Sequence, residues 1–272
     1  MSLEITAPAN LLDPSPETAY FWGRVVGDGA IADNRIRIRT SDETAAHRLA
    51  AIAEPEQTRD GSDETEQKQD GITHHVRERE YLHDTSITRR ENEYMVTVTG
   101  DITADAASKL GLPTPMGAFE KVESNATSNA TSNATSNATS NATSNAETDI
   151  TTTSHPDYDF ADLTEYTQPL LRGLFEGCGT ICYKQSAGAV GLSFVHDKRI
   201  LKRINDLLGN LSVPTPTSDP APASSSGHWF SLDDDAAPAV GRQLYADTDS
   251  TGLFAPSRRR KLLGCLDRID NE

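Results

Sequence analysis

Asp28 and Cys178 occupy equivalent places in a segment that occurs twice, and they bear most directly on the chemistry open to this chain. Residues 21–31 read FWGRVVGDGAI and residues 171–181 read LRGLFEGCGTI. Gly23, Gly27 and Gly29 match Gly173, Gly177 and Gly179, each offset by 150 positions. Each copy begins as a helical pattern, carries glycines four apart on one face, and ends in G-x-G before a strand-like run. Glycine has no Cβ, so two such helices can approach closely along their glycine faces. The next residue then lies at the base of the helix pair: Asp28 in one copy, Cys178 in the other.

A second pattern concerns charge. Arg35, Arg37 and Arg39 alternate with Ile36 and Ile38. On a strand this puts three guanidinium groups on one face and the isoleucines on the other. Arginine suits guanine edges and phosphates. Arg77 and Arg79 repeat the spacing on a predicted third strand. The competing reading is a solvated strand face paired with acids, although Glu78 and Glu80 should face away from Arg77 and Arg79. The second half offers fewer strand cations. Lys184 is one, and Asp233-Asp234-Asp235 would repel phosphate. Lys198, Arg199, Lys202 and Arg203 read as the solvated face of a helix, while Arg258 to Lys261 either meet a nucleic-acid backbone or simply start the last helix. Cys178 with Cys182 reads as two thiols rather than a metal pair, and the neighbours His74 and His75 would point to opposite strand faces.

The duplicated motif, Phe21 to Gly29 and Leu171 to Gly179, resembles that of the LAGLIDADG homing endonucleases and related DNA-binding proteins. The resemblance implies an α/β fold: two αββαββα repeats packed as a pseudo-dimer about their motif helices, in a monomer with an internal pseudo-two-fold axis. It also implies that the penultimate motif position carries the acid that binds the catalytic divalent metal. Asp28 then becomes the candidate catalytic and metal-binding residue, with Mg²⁺ as cofactor if the chain is catalytic and none otherwise. Cys178 removes half of the carboxylate clamp, because a thiol is a poor Mg²⁺ ligand. Val26 replaces the earlier acid of the motif, and Glu176, two residues before Cys178, should point to a different helix face. In the resembling family the strand face opposite the helices lies in the DNA major groove. That makes Arg35, Arg37, Arg39, Arg77 and Arg79 the expected contacts to double-stranded DNA. The function implied is DNA binding with cleavage impaired or lost. The alternatives are an active metal-dependent endonuclease or nickase using Asp28, and a non-enzymatic interaction or regulatory protein that retains the fold.

These residues need elements to hold them. Ser15-Pro16-Glu17 predicts a helix start that Gly29 ends, Ile31 begins a short strand, and residues 35–39 form the next. Asp42 caps a second helix, residues 74–82 and 93–99 form a hairpin, and residues 101–112 close the unit. In the second half, Asp162 and Glu165 suggest a capping box before the motif helix. Strands follow at 181–183 and 190–195, then a helix capped by Asp197, strands near 228–233 and 242–247, and a helix from Ser257 to Ile269. Residues 124–146 repeat SNAT, have no apolar periodicity and read as a tether. The expected division is a first repeat at 1–123, a linker at 124–156 and a second repeat at 157–272.

Composition sets the surroundings. Net charge is −16, and Arg outnumbers Lys as Asp outnumbers Glu. Such a surface fits a salt-loaded cytoplasm, and hence a halophilic archaeal source, because carboxylates stay hydrated while salt screens their repulsion. Acid-rich disordered tracts are the other explanation. No apolar run approaches a membrane span, no signal peptide or intein ends are expected, and three cysteines do not make a disulfide framework. A reduced cytoplasm fits best.

Overall fold

Helix α1 (Pro16–Asp28) begins at a reciprocal cap. The Ser15 hydroxyl accepts from the Thr18 N–H at 3.1 Å, and the Thr18 hydroxyl accepts from the Ser15 N–H at 2.9 Å. Pro16 stands where no helical N–H is needed. Every residue from Thr18 to Gly27 is buried, so the helix runs through the interior with no solvent face over that span. Strands β1 (Gly29–Ala32) and β2 (Arg35–Thr40) follow, then α2 (Glu43–Ala53), the hairpin β3 (Ile72–Tyr81) and β4 (Asp84–Thr99), and α3 (Ile102–Leu110).

The computed structural model describes residues 5, 7–32, 34–53, 72–81, 84–100, 102–113, 158–213, 219–223 and 227–271. The SNAT tract, the polar stretch 54–71 and the side chains of Arg77 and Arg79 lie outside the described residues.

The second half contains α4 (Thr167–Cys178), β5 (Gly179–Lys184), β6 (Ala189–His196), α5 (Lys198–Leu208), β7 (Ala221–Pro222), β8 (His228–Ser231), α6 (Ala236–Leu244), α7 (Thr248–Thr251) and α8 (Pro256–Asp270). Two four-stranded antiparallel sheets result, ordered β1-β2-β4-β3 and β5-β6-β8-β7. The two halves therefore share one strand order around one helix-first arrangement.

Two expected elements differ. Residues 242–247 are not a strand: Arg242 to Leu244 end α6, whose buried Ala236, Ala237, Val240, Gly241 and Leu244 recur at helical spacing. The strand pairing with β8 lies earlier, at Ala221 and Pro222. The Asp162–Glu165 capping box does not form either. Residues Ala161–Tyr166 make a 3₁₀ turn, and α4 starts at Thr167, which keeps Pro169 in its first turn where a missing N–H costs nothing.

The motif helices α1 and α4 meet along their glycines, and residues 1–117 and 156–272 form one compact unit. A Cβ on Gly27 would lie 3.0 Å from the Gly177 Cα, and one on Gly23 would lie 3.1 Å from the Gly173 Cα. Phe21, Trp22, Leu170, Leu174 and Phe175 join the isoleucines of β2 and the apolar faces of β5 and β6 in one continuous core.

Candidate nucleic-acid interface

The β2 alternation is realised in full. Ile36 and Ile38 have no exposed surface, Arg35 and Arg37 are exposed, and Arg39 is half-buried. Their partners on β4 are Thr99, Thr97 and Met95, so the arginine face continues as an uncharged strip. Arg77 and Arg79 stand on β3 opposite Glu91 and Arg89.

The corresponding face of the second sheet has another character. Thr180, Cys182 and Lys184 are exposed along β5, and Lys184 is paired with Asp234. Val195 (43 % exposed) and Trp229 (42 % exposed) are cross-strand partners on β6 and β8. The two sheets thus offer an arginine-rich face and a largely neutral, partly apolar one. The α5 cations are engaged locally: Arg199 pairs with Asp197, and Arg203 donates to the Asp159 carbonyl at 2.7 Å. On α8, Arg258 donates to the Gly179 carbonyl at 3.2 Å and Arg259 pairs with Asp249.

Asp28 ends α1 beside a cavity lined by Arg24, Arg39, Glu176, Ser257 and Arg258 among others. The Arg24 guanidinium, 2 % exposed, contacts the Asp28 Oδ2 at 3.0 Å through Nη2 and also donates to the Arg39 carbonyl at 2.9 Å. Its Nη1 lies 3.9 Å from the Glu176 Oε2. Glu176 is itself buried; it accepts from the Tyr20 hydroxyl at 2.6 Å and from the Ala255 N–H at 2.8 Å. It occupies a different position on α4 from Cys178, yet Tyr20 and Arg24 of the opposing helix bring it to the same cavity. Sequence reasoning missed Arg24 and Tyr20. The i,i+4 spacing of Arg24 and Asp28 was a usable signal for one contact, but nothing local signals the contact with Glu176.

Burial raises the Asp28 carboxyl to about 6, against the pull of Arg24, Arg258 and Arg39 and with help from Glu176. Burial likewise pushes the Cys178 thiol up to about 12, with the Asp28 charge adding to it, so the thiol stays protonated and donates to the Leu174 carbonyl at 3.3 Å. All three cysteines are free thiols.

A family model described as "Putative archaeal homing endonuclease", LAGLIDADG_4, matches residues 1–120 and again residues 121–272. The chain belongs to this LAGLIDADG family. Among curated proteins none matches it. The double match agrees with two motif copies in one chain. No helix among the described residues is long and apolar enough to cross a membrane.

Family membership raises the question of a divalent metal at the motif-helix base. The donor set does not fit one held by carboxylates from both helices. Cys178 offers a neutral thiol, Glu176 spends its oxygens on Tyr20 and Ala255, and one Asp28 oxygen faces Arg24. Of the Asp28, Glu176 and Cys178 donor atoms, the Asp28 Oδ1 alone is buried without a hydrogen-bond partner. Among the described residues no three His, Cys, Asp or Glu groups converge as a metal site.

Proposed function

We propose that this chain is a double-stranded-DNA-binding protein derived from homing endonucleases, with cleavage impaired or lost. The reading rests above all on the arginine face of β2. Arg35 and Arg37 extend into solvent from a strand whose other face, Ile36 and Ile38, is wholly buried. A rigid strand carrying forked donors at two-residue spacing suits guanine edges and phosphate oxygens. Arg39 extends the row, and Arg77 and Arg79 are its proposed continuation on β3. The two repeats, 1–123 and 157–272, act as a pseudo-dimer about α1 and α4 with residues 124–156 as tether. The protein works as a monomer in a salt-loaded cytoplasm, a setting read from its net charge of −16. Cys178 supports the loss of cleavage, since it supplies no second carboxylate beside Asp28.

A second reading, a non-enzymatic interaction protein, is favoured by the neutral face around Val195 and Trp229. Selection of bound sequences from random duplex DNA at molar salt separates the two. The DNA reading expects an enriched, guanine-containing site. Replacing Arg35, Arg37 and Arg39 together by Ala should weaken its binding at least tenfold, each guanine-directed arginine being worth about 1–3 kcal/mol of discrimination. Circular dichroism should be unchanged, because the isoleucine face is untouched. A folded triple variant with unaltered affinity would favour the interaction protein. A wild-type chain that cuts both strands with Mg²⁺, and stops when Asp28 becomes Asn, would instead establish the retained endonuclease.

A further inference from the structure

The buried Arg24 belongs to neither the DNA face nor any hydrolytic step. We infer that its guanidinium is the resident cation of the motif-helix base, joining Asp28 of α1 to Glu176 of α4 in place of a divalent metal, so that duplex binding needs no divalent ion. The last clause rests on the DNA-binding reading; the rest does not.

The geometry carries the argument. One guanidinium faces two carboxylates from the two motif helices, at 3.0 Å and 3.9 Å, and both Arg24 and Glu176 are out of solvent. A planar fork can address two acids at once, which is the connectivity a bridging metal ion would provide. The remaining valences of Glu176 are filled by Tyr20 and Ala255. Arg39 and Arg258 line the same cavity, so a further cation there would meet like charge. Removing the guanidinium alone would leave the buried Glu176 and the partly exposed Asp28 without their shared counter-ion, an arrangement that is costly until another cation fills it. The Asp28 Oδ1, which has no hydrogen-bond partner, would then be available to that cation. The guanidinium thus balances the two acids itself, a role that in its absence falls to a cation from solution.

The full-length chain tests this, with thermal unfolding in chelator, in millimolar Mg²⁺ or Ca²⁺, and with Tb³⁺ luminescence sensitised by Tyr20 and Trp22. Wild type should melt at one temperature in all buffers and show no saturable Tb³⁺ signal. Arg24→Met should melt about 10 °C lower in chelator, recover at least half of that loss with divalent ion, and give a saturable Tb³⁺ signal. Arg24→Lys, which keeps the charge, should remain insensitive to metal. A wild type stabilised by Mg²⁺, or an Arg24→Met variant as stable as wild type in chelator, overturns the assignment. Should Arg24→Met fail to fold without metal, Arg24→Met/Asp28→Asn/Glu176→Gln decides. Recovery of folding on removing both acid charges supports the role of Arg24, and a still less stable chain refutes it. Wild-type duplex affinity should be equal in chelator and in Mg²⁺. Absence of duplex binding in both overturns the DNA-binding reading alone, because the melting and Tb³⁺ results decide the role of Arg24 independently.

Discussion

Asp28 carries an opposed pair of forces: burial raises its carboxyl and three arginines lower it, with burial prevailing at about 6. Raised above the ordinary value of 3.8, the group is protonated in the folded chain over a range where the unfolded chain has already released its proton. Its contribution to stability is therefore full below about pH 4 and is lost as pH rises toward 6. Asp197 has the opposite sign, since its depressed carboxyl favours the fold above the ordinary range. Asp28→Asn should flatten the Asp28 part of the profile. In urea titrations at fixed salt, the variant should gain on wild type between pH 4 and 6, by at most about 1.4 kcal/mol per pH unit, and hold that gain at pH 7. A difference that shrinks over that range would contradict the raised carboxyl. The arginine face and the position of Asp28 were legible because each follows from local spacing. The contacts of Glu176 were not legible, because its environment is set by Tyr20 and Arg24, and a contact across two helices leaves no periodicity in either.

At the scale of elements, the glycine repeat was the most legible signal, and its consequence is steric. A Cβ on Gly177 would sit 2.7 Å from the Gly27 Cα, and one on Gly23 would overlap the Leu170 carbonyl oxygen. Backbone cannot yield as a flexible side chain can. Gly177→Ala or Gly23→Ala should therefore destabilise by about 3 kcal/mol or more, at or beyond the upper end of ordinary overpacking, visible as a lower urea midpoint. Gly264→Ala is the control: it has open space around it on α8 and should be neutral or stabilising. The misplaced elements have equally concrete causes. The run 242–247 was read apart from Ala236 and Val240, so the helical period of α6 went unseen, and β7 is two residues long inside a Pro/Ser-rich stretch. At α4, Pro169 fixed the start more strongly than the Asp162–Glu165 pattern.

For the whole molecule, the proposed DNA binding asks how a chain of net charge −16 would bind a polyanion. Long-range repulsion is screened beyond roughly 3 Å at molar salt, so binding there depends on contacts rather than on the summed field. The cations not engaged by neighbours are then decisive. Lys184, Arg199 and Arg259 have acidic partners, whereas Arg35 and Arg37 face solvent on one sheet. Binding should be lopsided, with one half-site contacted through arginine and the other through the uncharged surface of Val195, Trp229 and Thr180. Two consequences are measurable on the selected duplex. Affinity should fall with salt at a logarithmic slope no steeper than about −2, as expected when Arg35 and Arg37 each neutralise a phosphate, and the Arg35/Arg37/Arg39→Ala variant should lose most of that slope. Trp229→Ala should leave the slope unchanged and lower affinity through the other half-site, with thymine-methyl contacts the chemistry open to it. A steep slope that survives the triple replacement would move the phosphate contacts to Arg258–Lys261 on α8 and away from the β2 face.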